Sequence, residues 1–252
     1  MTDKEETFFR RRMEELCGAC YQKNIPTHSR FLNADEQTVF RSMHLSAPGV
    51  RIVSYGGPDA AERKIICFLP DYQPEVPEDT LCFLKISPVS EKFAEALSHR
   101  DYLGALMSLG IERSMLGDIF MDGSSAHLAA LPEVRDTILD ELTEVRRTRV
   151  KVASEGLSDV LAVQHTEIVD VNTASCRADS LVCAVFRISR GGAKTLFAEH
   201  RVFRNGAELT DGSKEVRPGD VISVREKGRF RLLDGIRETK KGRLYVPVEL
   251  FR

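Results

Sequence analysis

The sequence predicts an α+β fold divided into three regions, residues 1–74, 75–160 and 161–252. Residues 70–79, PDYQPEVPED, carry three prolines and predict a loop or linker between the first two regions. The balance of charge changes as well. Residues 176–252 hold 17 Lys and Arg against 10 Asp and Glu, whereas the remaining 175 residues hold 19 against 28. A basic segment on an acidic body is expected of a nucleic-acid module joined to another domain, and chance clustering on a solvated surface is the alternative.

The first region is predicted to be a small α/β segment. Residues 1–23 form a helix that ends before Pro26. A second short helix follows and is capped by Asn33 or Asp35. The runs VRIVSYGG and ERKIICFLP then predict two strands around a Gly-Gly-Pro-Asp turn. The apolar side chains near one face of the first helix are Phe8, Met13, Leu16 and Tyr21.

The second region reads in the order β-α-β-β-α-β. LCFLKIS is a strand, Ser98 caps the helix HRDYLGALMSL, and Gly110 stops it. LGDIFM and AHLAAL flank a hairpin turn, Pro132 starts the helix PEVRDTILDELTEV, and TRVKVAS returns as a strand. That order is typical of the ferredoxin-like split βαβ fold. Because the strands lack paired aromatic residues, direct stacking of RNA bases on this sheet is not expected.

The third region is predicted to begin with two short helices, DSLVCAVF and GGAKTLFAEH, and to continue as strands. Ser189 is a candidate N-cap of the second helix, and Arg190 and Lys194 lie one turn apart on one face. Helix N-termini offer free N–H groups and partial positive charge, which suits a phosphate backbone. A solvated amphipathic helix with routine charges is the alternative. The residues predicted to contact RNA are Arg177, Ser189, Arg190, Lys194, Arg201, Arg204 and Asn205.

Two polar clusters outside this region leave alternatives open. Asp118, in LGDIF, either belongs to an RNA-contacting turn or accepts hydrogen bonds from backbone N–H groups. Arg63 and Lys64 either contact phosphate or keep a hairpin turn solvated. His200 either stacks on a base or satisfies a carbonyl at a helix end.

Catalytic and metal-binding patterns are missing from the sequence. It has no Walker A motif, no G-x-G-x-x-G and no G-x-S-x-G, and its six histidines are scattered. Cys17 and Cys20 form the only C-x-x-C, with no second pair to complete a zinc site. We therefore expect no metal and no cofactor. No run of 18 apolar residues exists and the N-terminus lacks the apolar core of a secretory signal, so a cytoplasmic location without membrane contact is expected.

The motifs of the third region resemble the alpha-L RNA-binding domain, the ribosomal protein S-four type. The matching segments are Arg177-Ala178-Asp179, SRGGAK, HRVFRNG and PGDVISV. His200 departs from the Gly that this domain usually has before the strand, and Phe203-Arg204 replaces a small apolar and basic pairing. The resemblance implies an RNA-binding domain over residues 161–252 with a β extension at its C-terminal end.

Further segments are similar to the YlmH family of bacterial RNA-binding proteins, often encoded near division genes. They are FLNADEQ, SYGGPDAAERK, LPDY, HRDYLGALMSLGIERSMLGDIF, KGRFRLLD and ETKKGR. The resemblance implies a ferredoxin-like RNA-binding middle domain. It also implies ribosome-associated quality control, with binding to the large ribosomal subunit that carries peptidyl-tRNA, and a link to cell division.

The sequence therefore predicts a non-enzymatic protein, expected to be a monomer, that binds structured rRNA or tRNA. One alternative is an RNA-modifying enzyme, of the pseudouridine synthase or methyltransferase type, that uses the third region as its anchor. Another makes the acidic N-terminal half a platform for protein partners.

Overall fold

A computed structural model describes residues 2–58, 61–163, 166–239 and 242–251. The chain divides into two compact units, Met1–Val163, here the N-terminal unit, and Gln164–Arg252, here the C-terminal unit. The mixed α and β composition predicted from the sequence is confirmed. The predicted boundary between residues 74 and 75 falls inside the N-terminal unit, and the three-region division stays a prediction.

The N-terminal unit begins with a helix packed on a small antiparallel sheet. Asn33 caps the second helix, because its side chain accepts from the N–H of Glu36 while the Glu36 carboxylate accepts from the N–H of Asn33. The order of strands in the sheet is β1-β3-β2. The elements are α1 Asp3–Lys23, β1 Thr27–His28, α2 Ala34–Ser42, β2 Val50–Tyr55 and β3 Ile65–Pro70.

The buried face of α1 differs from the predicted one. Phe8 and Tyr21 are 73% and 58% exposed, so their predicted place on the inner face is wrong. Phe9 takes the inward position, since it lies four residues before Met13, one helical turn away. The helix also ends at Lys23, where Asn24 adopts a left-handed conformation, before Pro26 is reached. The buried side chains of α1 are Phe9, Met13, Leu16, Cys17 and Cys20.

The rest of the N-terminal unit is a five-stranded antiparallel sheet. The order of its strands is β5-β6-β4-β8-β7. Leu84 and Ile86 of β4 form one core with Tyr102 and Leu106 of α3. Successive strand residues face opposite sides of a sheet, so Phe83 joins a different core. The elements are β4 Cys82–Pro88, α3 His99–Ser108, β5 Leu116–Asp122, β6 Ser125–Ala130, α4 Arg135–Glu141, β7 Glu144–Val145, β8 Thr148–Glu155 and α5 Leu157–Val163.

The C-terminal unit is a seven-stranded sheet whose core includes two short helices. The strands follow the order β11-β10-β12-β13-β15-β14, and β9 pairs with β15 along the full length of both. Leu181 of α6 and Leu196 of α7 pack with Ile222 and Phe230 of the sheet. The elements are β9 Thr166–Thr173, α6 Ala178–Phe186, α7 Arg190–Ala198, β10 Val202–Arg204, β11 Ala207–Glu208, β12 Val221–Val224, β13 Gly228–Leu232, β14 Arg237–Glu238 and β15 Leu244–Phe251.

Candidate nucleic-acid interface

An open groove in the C-terminal unit gathers three of the seven predicted RNA-contacting residues. It has a volume of about 1020 Å³ and is lined by residues of α6, α7, the end of β9 and the segment 210–213. Arg177 lies at the start of α6, and Arg190 and Lys194 lie on the first turns of α7. The helix starts therefore bring separated basic residues to one surface.

Backbone hydrogen bonds fix the wall of this groove next to α6. The N–H of Ala178 donates to the carbonyl of Lys214, and the N–H of Asp179 donates to the carbonyl of Gly212, both at 2.9 Å. A Cβ on Gly212 would lie 3.0 Å from the Cβ of Asp179, so glycine allows this close approach. The Arg177 guanidinium donates to the Asp179 carboxylate at 3.0 Å and remains 50% exposed. Asp179 therefore orients Arg177 without burying its charge.

The start of α7 is built to leave donors accessible. The Ser189 hydroxyl accepts from the N–H of Gly192 at 3.1 Å, which makes Ser189 the N-cap, as predicted. Gly191 and Gly192 are exposed and carry no side chain that would shield the first turn. Arg190 and Lys194 are exposed, and within the described chain neither side chain has a hydrogen bond or ion pair. This turn thus offers two uncompensated cations beside a helix N-terminus.

Arg201 lies outside the groove and its charge is compensated. Its guanidinium is 26% exposed and pairs with Glu199 at 3.3 Å and with Glu226 at 2.5 Å. It also donates to the carbonyl of Arg225 at 3.2 Å. Arg201 is thereby tied to the turn between β12 and β13.

Arg204 and Asn205 also lie outside the groove and serve the chain turn after β10. Arg204 donates to the carbonyl of Glu215 at 3.2 Å. Asn205 adopts a left-handed conformation; its amide donates to Asp220 at 2.7 Å and accepts from the N–H of Val221 at 2.9 Å. An asparagine suits this backbone conformation, so its contacts account for the residue without RNA. RNA contact by Arg204 and Asn205 stays a prediction.

Arg243 lines the groove and was missed by the sequence reasoning. It precedes β15, contacts the side chain of Asn172 on β9, and donates to the carbonyl of Asn172 at 3.2 Å. The signal for it was the basic run ETKKGR, which ends at Arg243. Lys240 and Lys241 of that run lie outside the described residues.

Asp118 and Arg63, from the two polar clusters of the N-terminal unit, form hydrogen bonds with the backbone of the protein. Asp118 accepts from the backbone N–H groups of Glu62 and Arg63, which is the structural alternative for this carboxylate. Arg63 donates to the carbonyls of Leu116 at 3.0 Å and Phe31 at 3.1 Å, so its guanidinium is an internal cross-link.

Nearby, burial together with the charge of Arg63 lowers the pKa of Arg113 to about 10. Arg113 likewise donates to backbone carbonyls, those of Leu116 and Gly117. In the C-terminal unit, the His200 ring contacts the Glu208 carboxylate instead of a helix-end carbonyl, and stacking of His200 on a base stays a prediction.

The sheet of residues 82–155 is partly closed on the side opposite α3. Phe83 and Ala129 are buried in a core that also contains Ile65 and Leu69 of β3 and Val160 of α5. Gly57 approaches the Phe83 ring so closely that a Cβ would lie 2.7 Å from it. Phe83 and Ala129 are therefore not available for base stacking.

Buried cysteine side chains of the N-terminal unit pack in its hydrophobic cores. Cys17 and Cys20 lie on the buried face of α1, and burial raises the pKa of both. Burial raises the pKa of Cys67 to about 12 and that of Cys82 to about 11, so neither is a ready nucleophile. Within the described ranges, no three His, Cys, Asp or Glu residues are grouped so that they could hold a metal ion. Nor does any helix there combine the length and apolarity that crossing a membrane requires.

Comparisons with known proteins point to one family. Residues 74–159 match a family model described as "Putative RNA-binding domain in YlmH". The chain is 31% identical to "Ribosome-associated protein quality control protein P2" of Bacillus subtilis (strain 168) over 222 residues. This aligned stretch covers 87% of this chain and 85% of that protein. A solved structure, "Cell division protein ylmH from Streptococcus pneumoniae", is 21% identical, with a TM-score of 0.48, over 63% of this chain and 96% of the other.

Proposed function

Since this chain belongs to the YlmH family of RNA-binding proteins, we propose that it binds structured RNA chiefly through the groove of its C-terminal unit. The observation that carries the proposal is the start of α7, where Arg190 and Lys194 are exposed and uncompensated beside Gly191 and Gly192. Each phosphate that such a cation neutralises releases counterions, which favours binding.

The groove suits the backbone of RNA better than its bases. Its polar lining consists of guanidinium, ammonium, hydroxyl, amide and carboxylate groups, and its four cations, Arg177, Arg190, Lys194 and Arg243, outnumber its two carboxylates, Asp179 and Asp211. A-form RNA is recognised mostly by shape and through phosphate and 2′-hydroxyl contacts. We therefore propose rRNA or tRNA helices as the ligand, recognised without base readout.

The ribosome is the proposed place of action. The relative from Bacillus subtilis is named for ribosome-associated quality control, and it is similar to this chain over most of both lengths. We propose that this protein acts in the same process and binds the large ribosomal subunit that carries peptidyl-tRNA. A link to cell division stays a prediction; it would appear as a change in cell length on deletion of the gene.

The middle region is proposed to be a ferredoxin-like domain that assists RNA binding. In support, β4 and β6 are central neighbours, β5 and β8 flank them, and all pairs are antiparallel, as in a split βαβ arrangement. Because Phe83 and Ala129 are buried, RNA contact by this domain would use another surface.

Filter binding with a structured rRNA fragment tests the proposal. Arg190→Glu combined with Lys194→Glu replaces two attractions by two repulsions, and we expect affinity at moderate salt to fall by about a hundredfold. Lys23→Glu combined with Arg51→Glu is the matched control: both residues are exposed in the N-terminal unit, outside residues 74–159, and the net charge changes equally. Equal affinity of the two double variants would refute the assignment.

The RNA-modifying enzyme predicted as an alternative is distinguished by a different measurement. RNA from a deletion strain would lack one modified nucleoside, and the intact gene would restore it. We expect the modification profile to be unchanged, as for a binding factor.

A further inference from the structure

A second basic surface of the C-terminal unit lies on the face of its sheet turned away from α6 and α7. Phe230 and Ile222 point into the core with the helices, so their neighbours Arg229 and Arg231 on β13 and Ser223 on β12 point the other way. The segment 225–231, REKGRFR, carries four basic residues and one acidic residue. We define the hairpin face as Phe203, Arg225, Lys227, Arg229, Arg231 and Phe251.

Aromatic rings and guanidinium groups are in contact on this face. Phe203, Ser223, Arg229 and Phe251 are directly opposite one another on four neighbouring strands, β10, β12, β13 and β15. The guanidinium carbons of Arg229 and Arg231 lie 5.6 and 5.4 Å from the centre of the Phe251 ring. Cation–π attraction at such distances holds the guanidinium groups against the ring.

Arg225 and Lys227 extend this arrangement to the tip of the hairpin. Arg225 lies over the Phe203 ring at 5.0 Å, and both Arg225 and Lys227 are exposed. Glu226, the acidic residue of the segment, is paired with Arg201. The predicted RNA contact Arg201 thus contributes here by neutralising the carboxylate between two cations.

We propose that the hairpin face binds a single-stranded RNA segment, so that the C-terminal unit holds two RNA elements at once. The proposal rests on the proposed RNA-binding function and adds a second contact to it. Single-stranded RNA is recognised by positive charge that follows the backbone combined with aromatic and guanidinium planes on which bases stack. This face offers the exposed cations Arg225 and Lys227 together with the partly exposed Phe251 ring. Phe203 is buried beneath Arg225, and Arg231 is paired with Glu249 at 3.2 Å, so these two support the face rather than extend it.

The two surfaces are far enough apart to engage different parts of one RNA. β9 begins at Thr166, opposite Phe251 at the hairpin face, and ends at Thr173, which lines the groove. At the usual rise of a strand, these ends lie roughly 23 Å apart. A helix in the groove can therefore continue as a single strand that reaches the hairpin face.

Fluorescence anisotropy with the full chain and two RNA probes tests this inference. One probe is a blunt RNA hairpin, and the other is the same hairpin with a single-stranded tail of about ten nucleotides. We expect the tail to improve affinity by about tenfold. Arg225→Gln combined with Lys227→Gln should reduce that gain to about twofold or less, while leaving affinity for the blunt hairpin nearly unchanged.

Two further variants distinguish the effect of base stacking from the effect of net charge. Phe251→Leu keeps the net charge and should also reduce the gain from the tail. Lys23→Gln combined with Arg217→Gln, both exposed and outside the hairpin face, removes the same charge and should keep the full gain.

A tail that adds nothing to the affinity of the wild-type chain, or a gain that survives in the Arg225 and Lys227 variant, would overturn the inference. An acidic protein partner for this face would give the first of these results. The proposed function fails separately, when Arg190→Glu with Lys194→Glu leaves binding of the blunt probe intact.

Discussion

Arg63 and Arg113 of the N-terminal unit serve a purpose opposite to that of Arg190 in the C-terminal unit. In the N-terminal unit, Arg63 and Arg113 donate to backbone carbonyls, and burial lowers the pKa of both guanidinium groups. In the C-terminal unit, Arg190 is exposed without an ion pair among the described residues. The comparison teaches that a count of charges finds the basic unit, but the partners of each side chain decide which arginines can bind RNA.

Removing an internal arginine should give the largest change in stability. Arg63→Ala removes the guanidinium donor from the carbonyls of Phe31 and Arg113 and one of the two donors to the carbonyl of Leu116, and we expect the free energy of unfolding to fall by about 3 kcal/mol or more. Urea unfolding measures this, with Arg51→Ala, an exposed residue of β2, as the control. If both variants lost equally little, Arg63 would not be the internal cross-link that its contacts indicate.

A smaller effect should distinguish two arginines within the C-terminal unit. Arg190→Gln should lower RNA affinity several-fold and reduce the slope of log K against log salt by about one, because one phosphate contact is lost. Arg201→Gln should change this slope little for a blunt RNA hairpin, because Glu199 and Glu226 already compensate its charge. Binding isotherms at several salt concentrations measure both slopes, and equal slopes for the two variants would contradict the distinction.

The smallest effect expected is that of the helix cap. Ser189→Ala removes the acceptor for the N–H of Gly192 and should cost about 1 kcal/mol, whereas Ser189→Gly should cost only a few tenths. Hydrogen exchange of the first amides of α7 measures this loss of stability at the start of the helix. Faster exchange in the alanine variant than in the glycine variant is the expected order, and the reverse order would argue against a capping role.

Local patterns made part of the fold and of the site predictable. Ser189 was predicted as a cap, and Asn33 as one of two candidates with Asp35, because a cap bonds only to its own helix, within three residues. The α1 face was misjudged by one residue at Phe8, since Phe8 and Phe9 are both apolar and burial against Phe68 and Ile66 selects one of them.

Pairings between distant residues explain what the sequence could not reveal. Arg201 meets Glu226 across 25 positions, Asn205 meets Asp220 across 15, and Arg243 meets Asn172 across 71. Each of these contacts depends on how the strands of the sheet are ordered. The proximity of Arg190 and Lys194 could be predicted without the strand order, because residues four positions apart in a helix lie on the same face.

Hydrogen–deuterium exchange of the full chain with and without structured RNA tests the central claim most directly. Because the groove is proposed to supply most of the contact, we expect RNA to protect the start of α6, the first turn of α7 and the segment 210–213. Residues 74–159 should show weaker protection, with no change on the strand around Phe83, which the fold already buries. Protection confined to residues 74–159, with α7 unchanged, would contradict the account.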